Sequence, residues 1–392
     1  MVAGLTGLDT CVVKVGSSLL VAGADGGPRG PWLDALAQDL VGRARRLVIV
    51  TSGAIALGRT ALGLDRRPAS LAEAQAAAAA GQIRLALAWS AAFAGDTGDD
   101  TGGAPHRRAG HRRTTAQVLL TLADLDDRRR YLNARDTLDA LLGAGLVPVV
   151  NENDTVATDE IRFGDNDRLA ARVAQVVGAD LLVLLSDVDG LMDADPRRHP
   201  DARLIERVAV VDDRLRALAG PTGATGVGTG GMATKLDAAD IATRSGTTVL
   251  LTSGLADRPL ARYEATGRGT LFAPQENGLA TRKQWLRGLQ GVRGTLSVDA
   301  GAVRALDRGA SLLPAGVTRV DGRFERGDPV RVAGPDGRAL GQGLAGYGAA
   351  DAAAIAGQRQ DQIAQTLGYP ARGPMIHRND LVLFHPLRGT DP

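Results

Sequence analysis

The chain is nearly without lysine. Of its 46 basic residues only Lys14, Lys235 and Lys283 are Lys; the rest are Arg. Aromatics are scarce at 3%, so the core must come from small and aliphatic side chains. Cys11 is the one cysteine, which excludes an internal disulfide and fits a reducing compartment; a cytoplasmic location is expected. No uninterrupted apolar stretch approaches the ~20 residues of a spanning helix, so no membrane span is expected. The first apolar run has no basic segment ahead of it and is broken by Lys14, which argues against a signal peptide. A formal net charge of +2 excludes a strong whole-chain field toward nucleic acid or a membrane.

What is present is length and alternation. A chain of 392 residues is too long for one ordinary domain, and two are expected. Over the first part, short aliphatic runs alternate with helical patterns, which predicts an α/β domain: an αβα sandwich around a mostly parallel sheet. Predicted strands are Cys11–Val15, Leu47–Val50, Gln117–Thr121, Val147–Val150, Leu181–Leu185 and Thr248–Leu251. Predicted helices cover Leu71–Phe93, Asp126–Leu142, Arg168–Val177 and Ala233–Arg244. Gly95–Arg113 has no large apolar residue and reads as a surface insertion; His106 and His111 within it lack partners at metal-ligand spacing. Beyond a boundary near Ala273–Gln290, short strands such as Thr295–Val298, Thr318–Val320 and Val330–Val332 alternate with turns, which predicts a small mostly-β domain. The expected division is 1–274, a linker at 275–291, and 292–392. The last part carries 12 Arg against 10 acidic residues, a weak footprint for RNA.

Two of the three lysines sit in glycine-rich turns. Lys14-Val15-Gly16-Ser17-Ser18 follows the first strand, and Gly228-Thr229-Gly230-Gly231-Met232-Ala233-Thr234-Lys235 opens a helix. Where Arg serves every generic need, Lys in such a turn suggests a compact ammonium that a planar fork would not replace. Two of them beside backbone-lined turns read as a site for a transferring phosphoryl group. The first turn is not a Walker A loop, because Gly-x4-Gly-Lys is missing. Gly226–Gly231 matches G-x-G-x-x-G in form, but no strand precedes it, so the dinucleotide reading is rejected. Thr51-Ser52-Gly53-Ala54 follows the second strand, with Ser52 placed to cap the next helix or to bind a ligand there. Asn151-Glu152-Asn153-Asp154 follows a buried-looking run and reads as a holder for a polar head and an amino group, or as an Asx turn. Gly164-Asp165-Asn166-Asp167 precedes a helix, where Asp167 would orient cations or hydrated Mg²⁺, or cap the helix. Ser186-Asp187-Val188-Asp189-Gly190 ends a strand where nucleotides bind in open α/β sheets; the bidentate Glu of a calcium loop is absent.

These segments, in this order, resemble the amino acid kinase superfamily, and within it the branch that phosphorylates L-glutamate and carries a C-terminal PUA domain. Asn133-Ala134-Arg135-Asp136 adds to the set, and Gly301-Ala302, Arg308 to Gly316 and Phe324-Glu325-Arg326-Gly327 resemble a PUA fold. The resemblance implies transfer of the ATP γ-phosphoryl to the side-chain carboxylate of L-glutamate, with Mg²⁺. It implies catalytic roles for Lys14, Lys235 and Asp167, the aspartate organising the lysines. Ser52, Asp154 and Asn166 would hold glutamate. Lys14, Ser186, Asp187, Thr229, Gly230, Gly231, Met232, Ala233, Thr234 and Lys235 would hold ATP. Proline as feedback inhibitor, hand-off of the product to glutamyl phosphate reductase, a homo-oligomer and RNA binding by the PUA domain are further implications. The rival readings are another kinase of the superfamily and an RNA-binding protein with a degenerate kinase domain.

Overall fold

The structure, a computed structural model, describes residues 5–21, 26–66, 68–95, 113–157, 165–194, 199, 201–219, 231–275, 291–371 and 373–384. The chain folds as two units. One comprises Met1–Leu125 and Thr137–Gly278, the other Asp126–Asp136 and Leu279–Pro392.

The first unit is built on eight strands: β1 (Leu8–Val15), β2 (Ala44–Thr51), β3 (Thr115–Leu120), β4 (Val147–Glu152), β5 (Leu181–Ser186), β6 (Arg207–Val208), β7 (Thr248–Ser253) and β8 (Thr270–Phe272). Its helices are α1 (Ser17–Leu20), α2 (Gly30–Leu40), α3 (Ala54–Gly58), α4 (Leu71–Ala94), α5 (Leu122–Asp126), α6 (Arg128–Gly143), α7 (Asp165–Val177), α8 (Asp213–Leu218), α9 (Met232–Thr243) and α10 (Pro259–Thr266), with the first half of α6 counted in the other unit. The sheet order is β3-β4-β2-β1-β5-β7-β8-β6, parallel except where β7 meets β8. β1 therefore lies between β2 and β5, and the chain leaves it in one direction and returns on the other side. That is the switch point where the carboxyl ends of strands open a crevice.

Alternation along the strands feeds two cores. Val13, Val15, Ile49, Val149, Val183 and Leu185 face a layer formed by α2, α3, α4 and α10. On the sheet's other face α7 packs on β1, β2, β4 and β5, and α9 on β7. The predicted sandwich is what forms. α3 and α4 approach backbone to backbone: a Cβ at Gly58 would lie 1.8 Å from the Ala77 carbonyl oxygen, and one at Gly81 1.8 Å from that of Ala54. Only glycine permits this, and it seats the turn after β2 beside β1.

Several expectations are corrected at this level. The helix predicted over Asp126–Leu142 is interrupted, because the Asp127 carboxylate accepts from the Arg129 and Arg130 N–H groups and starts α6 anew. The strand predicted to reach Thr121 stops at Leu120; Thr121 instead exchanges hydrogen bonds with Asp124 at the start of α5. β6 and β8 were too short to stand out in the sequence.

In the second unit five strands, β9 (Gly294–Val298), β10 (Val317–Gly322), β11 (Pro329–Ala333), β12 (Ala339–Leu344) and β13 (Leu381–Leu383), pair in the order β10-β9-β11-β12-β13. Helices Ala300–Asp307, Ala349–Ile355 and Gln360–Leu367 accompany the sheet. Leu296, Val298, Val330, Val332, Tyr347, Ile355 and Ile363 form its core. The unit is mostly β, as the turn-rich sequence predicts. Residues 126–136 belong to it through ions: buried Arg135 pairs with Asp380 and Asp136, and Arg326 with Asn133 and Asp136.

Candidate active site

Lys14 is the penultimate residue of β1 and points to the α7 side of the sheet. It is 5% exposed. Its Nζ lies 2.6 Å from Asp167 Oδ1. Lys235, in the first turn of α9, lies 3.3 Å from Asp167 Oδ2 and is 6% exposed. Asp167, in the first turn of α7, is fully buried and takes a third bond from the Thr234 hydroxyl at 2.9 Å. One carboxylate thus holds two ammoniums from opposite sides. Lys14 is buried in an ion pair, and Asp167 is more than a helix cap.

The electrostatics follow from that geometry. Burial pushes the Asp167 carboxyl up, but Lys14 and Lys235 outweigh it and hold it at about 2. Burial pushes the Lys235 ammonium below its usual range; Asp167 opposes this and Lys14 adds to it. The two lysines outnumber the carboxylate held between them, an arrangement suited to a polyanion. Cys11, on the same strand as Lys14, is pushed up to about 12 by burial and takes no part as a nucleophile.

The other predicted residues lie around this centre. Ser52 is half-buried after β2, and its N–H donates to the Val15 carbonyl, tying the turns after β1 and β2 together. It does not cap α3: Gly53 does, at φ 103°, without a side-chain bond. Gly231 caps α9, also without a side-chain bond, so the backbone N–H groups at Met232 and Ala233 face that helix's open end. Ser186 is buried at the end of β5, its hydroxyl donating to Asp187. Asp187 is exposed and attracts Lys235. Asp189 is clamped by Arg262 and Arg268. Thr229 and Gly230 lie outside the described residues, as do His106 and His111.

Asp154, buried after β4, opens on a cleft of about 210 Å³ with Asn153, Glu152, Gln82 and Gln117. Sequence reading missed Gln82. It accepts from the Asn151 amide at 2.8 Å, a pairing 69 residues apart that no local signal announces. Among the described residues three buried amide atoms have no hydrogen-bond partner: Gln82 Nε2, Asn151 Oδ1 and Asn166 Oδ1. Orphaned buried polar atoms are costly unless a ligand completes them. One donor and two acceptors match a carboxylate and an ammonium. Among the described residues no group of three or more His, Cys, Asp or Glu is placed to hold a metal ion, and no helix is long and apolar enough to cross a membrane.

This arrangement defines a phosphotransferase of the amino acid kinase type. Residues 9–253 match the amino acid kinase family and residues 294–367 the PUA domain, and the chain belongs to the amino acid kinase family. Within it, the similarity is to glutamate 5-kinases. The glutamate 5-kinase of Nitrobacter winogradskyi is 52% identical over 379 residues, 96% of either chain. That of Brucella anthropi is 50% identical over 95% of both chains. That of Ruegeria sp. is 48% identical, over 97% of this chain and all of its own.

Proposed function

We propose that this chain transfers the γ-phosphoryl of ATP to the side-chain carboxylate of L-glutamate, giving L-glutamyl 5-phosphate, the first step of proline biosynthesis. The observation that carries the reading is Asp167 held between two buried ammoniums at the switch point, in a chain half identical to glutamate 5-kinases along its length. The glutamate carboxylate is already ionised at neutral pH, so no general base is needed. The obstacle is bringing an anion toward a polyanion, which is a matter of charge and positioning.

In this reading Lys14 and Lys235 neutralise the transferring group while Asp167 fixes their directions. The open N-terminus of α9 receives phosphate oxygens, and Ser186 and Asp187 flank the nucleotide. Mg²⁺ would arrive on the phosphates, since it is usually held by one or two carboxylates and substrate oxygens; Asp187 is the carboxylate at that rim. Ser52, Asp154 and Asn166 hold glutamate, with Gln82 and Asn151 supporting them. Proline shares the ammonium and carboxylate of glutamate and would compete for the same cleft. The acyl phosphate is labile, which favours hand-off to a reductase, and a cytoplasmic homo-oligomer fits that role.

Incubation with ATP, Mg²⁺, hydroxylamine and one acceptor at a time tests the reading, because hydroxylamine traps an acyl phosphate as a coloured hydroxamate. Colour with L-glutamate but not with N-acetylglutamate or aspartate is expected; no colour with L-glutamate overturns the acceptor. Asp154→Ala is expected to raise the glutamate KM by about 10- to 100-fold, the loss of one charge-assisted bond, with the ATP KM little changed. A raised ATP KM with unchanged glutamate KM would reverse the assignment of that cleft.

A further inference from the structure

We propose that Asp237, with Arg168 and Arg216, is a positioning residue for phosphoryl transfer: it sets the register of α9 and so aims the Lys235 ammonium. The inference rests on the kinase reading above. α7 packs along α9, and α9 offers that packing little relief. Its buried apolar residues are Ala238, Ala239, Ala242 and one large side chain, Leu236. Smooth alanine surfaces have low ridges and fix neither rotation nor translation strongly. Polar ties do it instead. Asp167 of α7 reaches Lys235 of α9, and the very next residue, Arg168, reaches Asp237 at 2.7 Å. The charges alternate: acid to base, then base to acid. A two-residue register shift of α9, about 3 Å along its axis with about half a turn, would set Asp237 against Asp167, carboxylate against carboxylate.

A third helix joins the same device. Arg216 of α8 donates to the second Asp237 oxygen and, at 2.9 Å, to Asp240; Asp240 in turn takes Arg244 at 2.8 Å. α8 precedes the glycine-rich stretch 220–230 and α9 follows it, so Arg216 ties the chain entering that stretch to the chain leaving it. Burial pushes the Asp237 carboxyl up, and hydrogen bonds from Arg168 and Arg216 outweigh it, so it stays charged. The Arg168 and Arg216 side chains are 43% and 38% exposed. Ion pairs so exposed add little to stability. Their consequence is therefore separable: removing them moves the aim of Lys235 more than it loosens the fold.

The test uses the full chain with wild type, Asp237→Ala and Asp237→Glu in parallel, each rate taken relative to wild type with the acceptor wild type phosphorylates. Failure of the glutamate reading then appears in wild type, and failure of this inference in the ratio. Misaiming a reacting group by about 1 Å costs up to ~100-fold, so Asp237→Ala is expected to lose about 10- to 100-fold in kcat. The glutamate KM should stay within about twofold, and Tm should move by only a few degrees. Among the charges acting on Lys235 are Asp167, Lys14 and Asp187. With Asp167 misaligned, the ammonium loses its proton at lower pH, and the alkaline limb of kcat shifts down. Asp237→Glu should recover most of the rate. Unchanged kcat in Asp237→Ala, or a kcat loss that tracks Tm and leaves the alkaline limb in place, overturns the proposal.

Discussion

Lys235→Arg is expected to lose about 100- to 1,000-fold in kcat although no charge is removed. The reason is shape. The Lys235 ammonium touches one oxygen of Asp167, and the Lys14 ammonium touches the other. A guanidinium is a planar fork that prefers to engage both oxygens of a carboxylate at once. Placed at 235, it would take the oxygen that Lys14 uses and displace the second cation, in a space with 6% exposure. The chain uses Arg for 43 of its 46 basic residues, so the lysine here is a requirement of the site and not a habit of composition. Hydroxamate kinetics with a melting curve as control measure this, and near-normal turnover would sink the argument.

The same variant has a pH signature. In wild type, burial lowers the Lys235 ammonium from its usual 10.5. The active form is the protonated one, so kcat should fall as pH rises through a value below 10.5. Arg does not titrate in that range, so the residual rate of Lys235→Arg should lack this limb. The stability sign is opposite to the activity sign. A cation whose folded pKa is depressed costs stability at neutral pH, and that cost is released as pH rises through the folded value. The wild-type chain should therefore lose activity at alkaline pH while this group's contribution to stability becomes more favourable.

The parts of the fold readable in the sequence were those set by short-range pattern. Val147–Val150 and Leu181–Leu185 are aliphatic runs ending in polar residues, and buried parallel strands read that way. Their polar ends, Asn151 and Ser186, accordingly fall at the carboxyl edge of the sheet. Lys14 and Lys235 stood out by rarity, and Asp167 by its place ahead of a helix. What could not be read depends on partners distant in sequence. Gln82 is one glutamine in an alanine-rich helix until Asn151 meets it. Gly58 and Gly81 are unremarkable in the chain, yet each fills the only space the other helix leaves. Asn133 to Asp136 looked like part of the kinase domain, and their partners, Arg326 and Asp380, lie 190 positions or more further on. Ser52 was expected to cap the next helix or to bind a ligand there; the cap falls to Gly53, whose φ of 103° glycine alone adopts at no cost.

Asp167→Asn should have the largest effect of any single substitution. It keeps the shape and removes the charge. Two ammoniums, with side chains 7% and 8% exposed, would then face each other without a counterion. Leaving buried charge uncompensated costs about 3–5 kcal/mol, unless one lysine gives up its proton. Either outcome ruins catalysis: a neutral amine no longer balances the phosphoryl charge, and repelled ammoniums no longer point at it. A kcat loss of about 1,000-fold or more is expected. Stability discriminates the cause. The wild-type carboxyl sits at about 2 against its ordinary 3.8, so its contribution is present above 3.8 and lost as pH falls through about 2. That shift corresponds to about 2 kcal/mol. The stability gap between wild type and Asp167→Asn should hold steady from neutral pH to about 4, then narrow toward pH 2. A gap that stays constant over that interval, with kcat within tenfold of wild type, would mean that Asp167 is a packing residue and not the organiser of the two lysines.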